Sequence, residues 1–189
     1  MSRPRLQYVF LTGRSCWGNW ALSPQQLAFM HAISDEGQHC VAHNFPWLPQ
    51  PEAWRQTGIV RASLSNMLEY LASRHARFVR CYRETALEML AGADQTIVLA
   101  GSCGLELFNN LQLPAEVMPH IAIFAYGPVA RQRPTCRHVL VQGRTDYISR
   151  CWFPSPDKQI ESGHMHYLTQ PALPALCRAF VADIHGGSS

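Results

Sequence analysis

Short apolar runs of β-forming residues alternate with stretches of helical periodicity along this chain. That alternation constrains it to an α/β layer structure with mainly parallel strands. Tyr8-Val-Phe-Leu11, ended by Thr12-Gly13, reads as a first strand. Pro24 to Glu36 carries Leu27, Met30 and Ile33 at helical spacing behind a Ser23-Pro24 start, an N-cap followed by proline. His39 to His43 reads as a second strand, stopped by the Phe45-Pro-Trp-Leu-Pro49 loop. Arg61 to Leu90 holds a near-3.6 period through Leu64, Met67, Leu68, Leu71, Val79, Tyr82, Ala86 and Met89, as one long helix or two broken near Ser73–His75. Gln95 to Ala100 is the third strand, and a helix over Gly104–Leu111 follows at once. His120–Tyr126 and Arg137–Gln142 are the fourth and fifth strands, with too little chain between them for a full crossover helix. Lys158–Glu161 supplies a short last strand and Pro171–Ile184 a closing helix.

The length of 189 residues and an apolar content of 47% suit one domain with one core, expected over residues 1–189 with an ordered part at 6–185 and a tail at 186–189. Sixteen basic against thirteen acidic residues give +3, which points away from nucleic acid, and the low charged fraction argues against disorder. No apolar run approaches the roughly 20 residues of a membrane span. Leu6 to Leu11 is too short for a signal-peptide core. Seven cysteines without a Cys-x-x-Cys pair read as reduced thiols, so a cytoplasmic location is expected.

The most informative stretch is Thr96-Ile-Val-Leu-Ala-Gly-Ser-Cys-Gly-Leu105, a buried strand entering a helix through Ala100-x-Ser102-x-Gly104. This is the small-x-Ser-x-small form of a nucleophile elbow, whose sharp turn lifts the serine hydroxyl above the sheet and leaves space only for small neighbours. Centring the elbow on Cys103 would place branched Leu105 at a crowded position. Asp146 follows the Val139-Leu-Val-Gln142 strand, and Gly163-His164 follows the last strand ahead of a proline-led helix. Ser, Asp and His thus occur in that chain order, each beyond the carboxyl end of a strand, where open parallel sheets gather their active sites.

On these residues, nearly the whole chain resembles a small, capless member of the α/β-hydrolase superfamily. The resemblance implies a three-layer αβα sandwich with about six strands and no cofactor. Ser102 would be the nucleophile, His164 the general base and then acid, and Asp146 the residue orienting the imidazole. It implies an oxyanion hole from the backbone N–H of Cys103 and, in the Thr12-Gly-Arg-Ser15 turn, that of Arg14. The chain departs from the pattern in having Thr12-Gly13 where His-Gly is frequent, and in its short Asp146–His164 interval. Two N-terminal strands of larger members and their cap are also missing.

Other readings stand beside these. His166 is a second candidate histidine and Asp157 a second acid, although its Pro-Ser-Pro-Asp turn explains an aspartate locally. A metal site from His164 and His166, or from His39, Cys40 and His43, lacks a second spaced pair, so no metal is expected. Arg74, Arg77, Arg80 and Arg83 read as a solvated helix face paired with Glu69, Glu84 and Glu88, or as a groove for an acidic protein partner. Cys16, Trp17, Trp20, Phe45, Trp47 and Trp54 would form either an apolar acyl pocket or core cover. Arg14, Trp17 and Trp47 are therefore candidate substrate contacts, Arg14 for a carboxylate or phosphate. The function expected is hydrolysis of a small-molecule ester or thioester. The alternatives are a non-catalytic or partner-dependent binding protein on a hydrolase fold, or an acyltransferase or peptidase with the same triad. The shortness of the chain points to an open site or one completed by a partner subunit, and a homo-oligomer fits that reading.

Overall fold

The computed structural model describes residues 5–14, 18–36, 38–49 and 52–186. Among these residues six strands, β1 (Leu6–Thr12), β2 (His39–Cys40), β3 (Gln95–Gly101), β4 (Ile121–Tyr126), β5 (Arg137–Gly143) and β6 (Lys158–Ile160), form one sheet in the order β2-β1-β3-β4-β5-β6. All neighbours are parallel, with Val9 beside Val98, Leu99 beside Phe124, and Ala125 beside Leu140. Among the described residues six α-helices accompany them: α1 (Pro24–Ile33), α2 (Ile59–Ala72), α3 (Ala76–Leu90), α4 (Gly104–Asn110), α5 (Tyr147–Trp152) and α6 (Ala172–Gly186).

Strand periodicity separates two cores. Val9, Leu11, Val98, Ala100, Ile121 and Ile123 point to the α3 and α4 side. Their neighbours Tyr8, Phe10, Ile97, Leu99, Ala122 and Phe124 point to α1 and α6. Both faces of the strands are therefore buried, which is why the strands read as continuous apolar runs. The result is the three-layer αβα sandwich expected from the sequence.

Local chemistry explains the boundaries. Ser23 caps α1 through a full capping box: Ser23 Oγ accepts from Gln26 N–H at 3.2 Å, and Gln26 Oε1 accepts from Ser23 N–H at 2.8 Å. The helix stops at Ile33, three residues before the expected end, where Ser34 turns its hydroxyl back onto Met30 O. The long periodic segment is two helices, broken where Ser73 Oγ bonds Tyr70 O. β2 is shorter than expected because the chain turns away to bridge Ala21 through His43, while the Asn44 side-chain amide bonds both the N–H and the C=O of Thr12 at the end of β1. No crossover helix joins β4 to β5. α5, absent from the sequence reading, begins on Asp146 as N-cap.

The chain runs outward from β1 to β2 and then returns across to β3, so the strand order reverses between β1 and β3. Open parallel sheets bind ligands at that crevice, beyond the carboxyl ends of the strands. The turn after β1 and the elbow after β3 meet there. No helix among the described residues is long and apolar enough to cross a membrane.

Candidate active site

Ser102 sits at the tip of the β3–α4 turn with φ of 52°. A non-glycine residue is rarely held in this left-handed region, and such strain concentrates at working sites. The turn is this tight because α4 packs directly on β1: a Cβ on Gly104 would lie 1.7 Å from Leu11 O. Ala100 is fully buried on the strand side. Both small residues of the elbow are therefore required by packing.

Three chain-distant side chains converge on this turn. Ser102 Oγ lies 3.0 Å from His164 Nε2, and His164 Nδ1 lies 2.9 Å from Asp146 Oδ2 and 3.0 Å from Oδ1. The ionised carboxylate can only accept, so Nδ1 carries the proton and Nε2 is the acceptor facing the serine hydroxyl. His164 is partly exposed, Asp146 buried.

Asp146 is held from further directions. It accepts from the Tyr167 hydroxyl at 2.6 Å and, as N-cap of α5, from Ser149 N–H at 3.0 Å. Burial by itself would raise the Asp146 carboxyl. The hydrogen bonds from His164, Tyr167 and Ser149 outweigh burial and hold it below the usual carboxylate value. Tyr167 is itself buried, its hydroxyl accepting from Gly143 N–H at 2.6 Å. His166 is exposed, with its backbone N–H on Gly163 O, and Asp157 lies in an ion pair with Arg133 at 2.9 Å. His164, backed by Asp146, rather than these alternatives, faces Ser102.

The oxyanion side differs from expectation. Cys103, the residue after the serine, is buried, and burial pushes its thiol up to about 12, so the thiolate nucleophile is disfavoured. Arg14 does not present its backbone N–H to the elbow: that group donates to Glu69 Oε2 at 2.7 Å, and Arg14 Nε meets Glu69 Oε1 at 2.6 Å. Both groups are buried, so Arg14 is a structural partner of α2, and neither the oxyanion nor the substrate-anion role expected of it fits this arrangement. Because Glu69 pairs with Arg14, it is unavailable to the arginines of α3. Arg74 stacks on Tyr70 and reaches the buried Glu106, which Arg131 also holds at 2.6 Å.

The residue that α2 brings to this place is Asn66. A Cβ on Gly13 would lie 2.6 Å from both Asn66 Oδ1 and Cys103 Sγ, so glycine is what lets the three meet. Asn66 Oδ1 is buried without a hydrogen-bond partner, a costly state that recurs at functional sites. Neither Asn66 nor Tyr167 was singled out by the sequence. Tyr167 had a weak local signal in its place three residues after His164. Asn66 had none, since it is the fold that carries α2 to the elbow.

Of the aromatic loop residues, Phe45 and Trp47 are core cover. Trp47 is buried, donates its indole N–H to Phe10 O at 2.8 Å and packs edge-on against Phe45, which stacks on Phe78. The cleft that Trp47 does border, about 550 Å³ with Gln7, His39 and Met89, contains none of the elbow residues. Trp47 as a substrate contact is thereby corrected. Cys16 and Trp17 lie outside the described residues. Trp54 is exposed, and Trp20 donates to Leu48 O. Among the described residues no group of three or more His, Cys, Asp or Glu is arranged to hold a metal.

No family model matches the chain, and no curated protein matches it in sequence. Solved structures do. The Trichoderma reesei cutinase, in complex with a phosphonate inhibitor, is 14% identical with a TM-score of 0.55 over 96% of this chain and 78% of that one. A Xanthomonas campestris pv. campestris protein described as a hydrolase of the alpha/beta superfamily is 16% identical with a TM-score of 0.51, over 98% and 99%. A Thermus thermophilus protein is 15% identical with a TM-score of 0.51, over 96% and 89%. The chain has an α/β-hydrolase fold.

Proposed function

We propose that the protein is a serine hydrolase that cleaves an ester or thioester of a small-molecule acyl substrate through an acyl-enzyme on Ser102. The observation that carries this is the continuous Ser102–His164–Asp146 chain, with contacts of 3.0 and 2.9 Å, on a serine held at positive φ. As Ser102 Oγ attacks the carbonyl carbon, His164 Nε2 takes its proton, and the buried Asp146 stabilises the imidazolium that forms. His164 returns that proton to the leaving alcohol or thiol. A water then repeats the sequence on the acyl-enzyme, giving the free acid and restoring Ser102. The developing oxyanion would be met by the N–H of Cys103 and, with its side-chain amide turned so that Nδ2–H faces the site, by Asn66 in place of Arg14. The likeness to a cutinase supports ester chemistry without specifying the acyl group.

A panel of p-nitrophenyl esters and acyl thioesters, assayed with wild type and Ser102→Ala, tests this. Serine-dependent release is expected, and activity that survives Ser102→Ala would overturn it. Adding competing amines or alcohols separates hydrolysis from acyl transfer.

A further inference from the structure

In α2 the usual amphipathic arrangement is reversed. The side packed on the molecule buries Ala62, Glu69, Tyr70 and Ser73, small or polar groups apart from the tyrosine. The outward side carries Val60, Leu64, Met67, Leu68 and Leu71, between 46 and 84% exposed. On a helix these five fall within an arc of roughly 100°, the width with which a helix ordinarily faces a core.

Their order suits a second copy of the same helix. Val60, Leu64, Met67 and Leu71 are spaced four, three and four, the alternation of a helix–helix seam, and the spacing reads the same in both directions. A two-fold axis level with Ser65 and Asn66 sets Val60 against Leu71 of the partner subunit and Leu64 against Met67 of the partner subunit. Self-complementarity of this kind is what an isologous contact requires. We propose that α2 pairs antiparallel with α2 of a second copy of this chain.

Area and charge agree. The five side chains leave on the order of 500 Å² accessible, so two copies together reach the ~1,000 Å² that a specific interface should clear. Arg61 is the single charged residue on the outward arc. Antiparallel pairing keeps it far from Arg61 of the partner subunit. One arginine is also too little for an anionic lipid surface, where several basic residues flank the apolar face. Because α2 carries Asn66 to Cys103 and Glu69 to Arg14, the contact would brace one wall of the elbow.

Sedimentation equilibrium at micromolar concentration should give a dimer of the 21.3 kDa chain. Leu64→Arg and Met67→Glu, each alone at an exposed position, should raise the dissociation constant at least about tenfold while the native circular-dichroism spectrum is retained. Combined in one chain, they should restore the dimer, because each then meets the opposite charge across the axis. A monomeric wild type would overturn the proposal, as would a wild type that binds phosphatidylglycerol vesicles instead of itself. A double variant no better than the singles would overturn the antiparallel pairing.

Discussion

The Tyr167 hydroxyl donates to Asp146 at 2.6 Å while accepting from Gly143 N–H at 2.6 Å, so a buried tyrosine fixes the acid of the proposed triad to the end of β5. Tyr167→Phe removes both bonds without changing shape. On the proposed mechanism kcat should fall about tenfold with KM little altered, since Asp146 acts through His164 and not on substrate. Stability should fall by about 1–3 kcal/mol, because Gly143 N–H is left buried and unpaired. Steady-state kinetics and thermal melts check the two effects separately.

Asn66 is proposed to supply a side-chain oxyanion donor. Asn66→Ala should then lower kcat by roughly ten- to a thousandfold while leaving KM nearly constant, in line with loss of one such donor. It should also relieve the buried, unpaired Oδ1, so the melt should not fall in proportion. A change confined to KM would assign the residue to substrate binding instead.

Cys103 adjoins the serine, yet its thiol is buried and raised to about 12. At pH 8 iodoacetamide should modify the exposed Cys81 and Cys151 and spare Cys103, with activity retained. Peptide mapping after alkylation reads this directly. Rapid alkylation of Cys103 with loss of activity would shift the nucleophile away from the serine.

The Asp146 carboxyl is held below its ordinary value, near 3.9 in an unfolded chain. A depressed acid contributes stability that is fully present above the unfolded value and is lost as pH falls through the folded one. The stability gap between wild type and Asp146→Asn should therefore stay constant from neutral pH to about 5, and narrow below about 4. Urea titrations across that range measure it; a gap that widens in acid would contradict the sign.

What was legible in the sequence was what local pattern dictates. The Ala100-x-Ser102-x-Gly104 spacing follows from α4 pressing on Leu11, and strand alternation follows from burial on both faces. Asp146 and His164 were visible because each follows a strand end. The fate of Arg14 was not, since its partner Glu69 is 55 residues away and depends on how α2 lies across the elbow. Trp47 misled because an aromatic loop residue looks alike whether it faces substrate or Phe10. α5 was hidden by its six residues, although Asp146 with Ser149 three residues on was its cap. The exposed leucines of α2 read as ordinary helical periodicity, which reports a stripe without saying which side faces the core.

The proposed mechanism requires Ser102 to be an activated nucleophile. Intact mass and peptide mapping after incubation with a fluorophosphonate test it most directly. One adduct is expected, on the peptide containing Ser102, absent in Ser102→Ala and strongly slowed in His164→Ala. A wild type that stays unlabelled, or an adduct on a different residue, would contradict it.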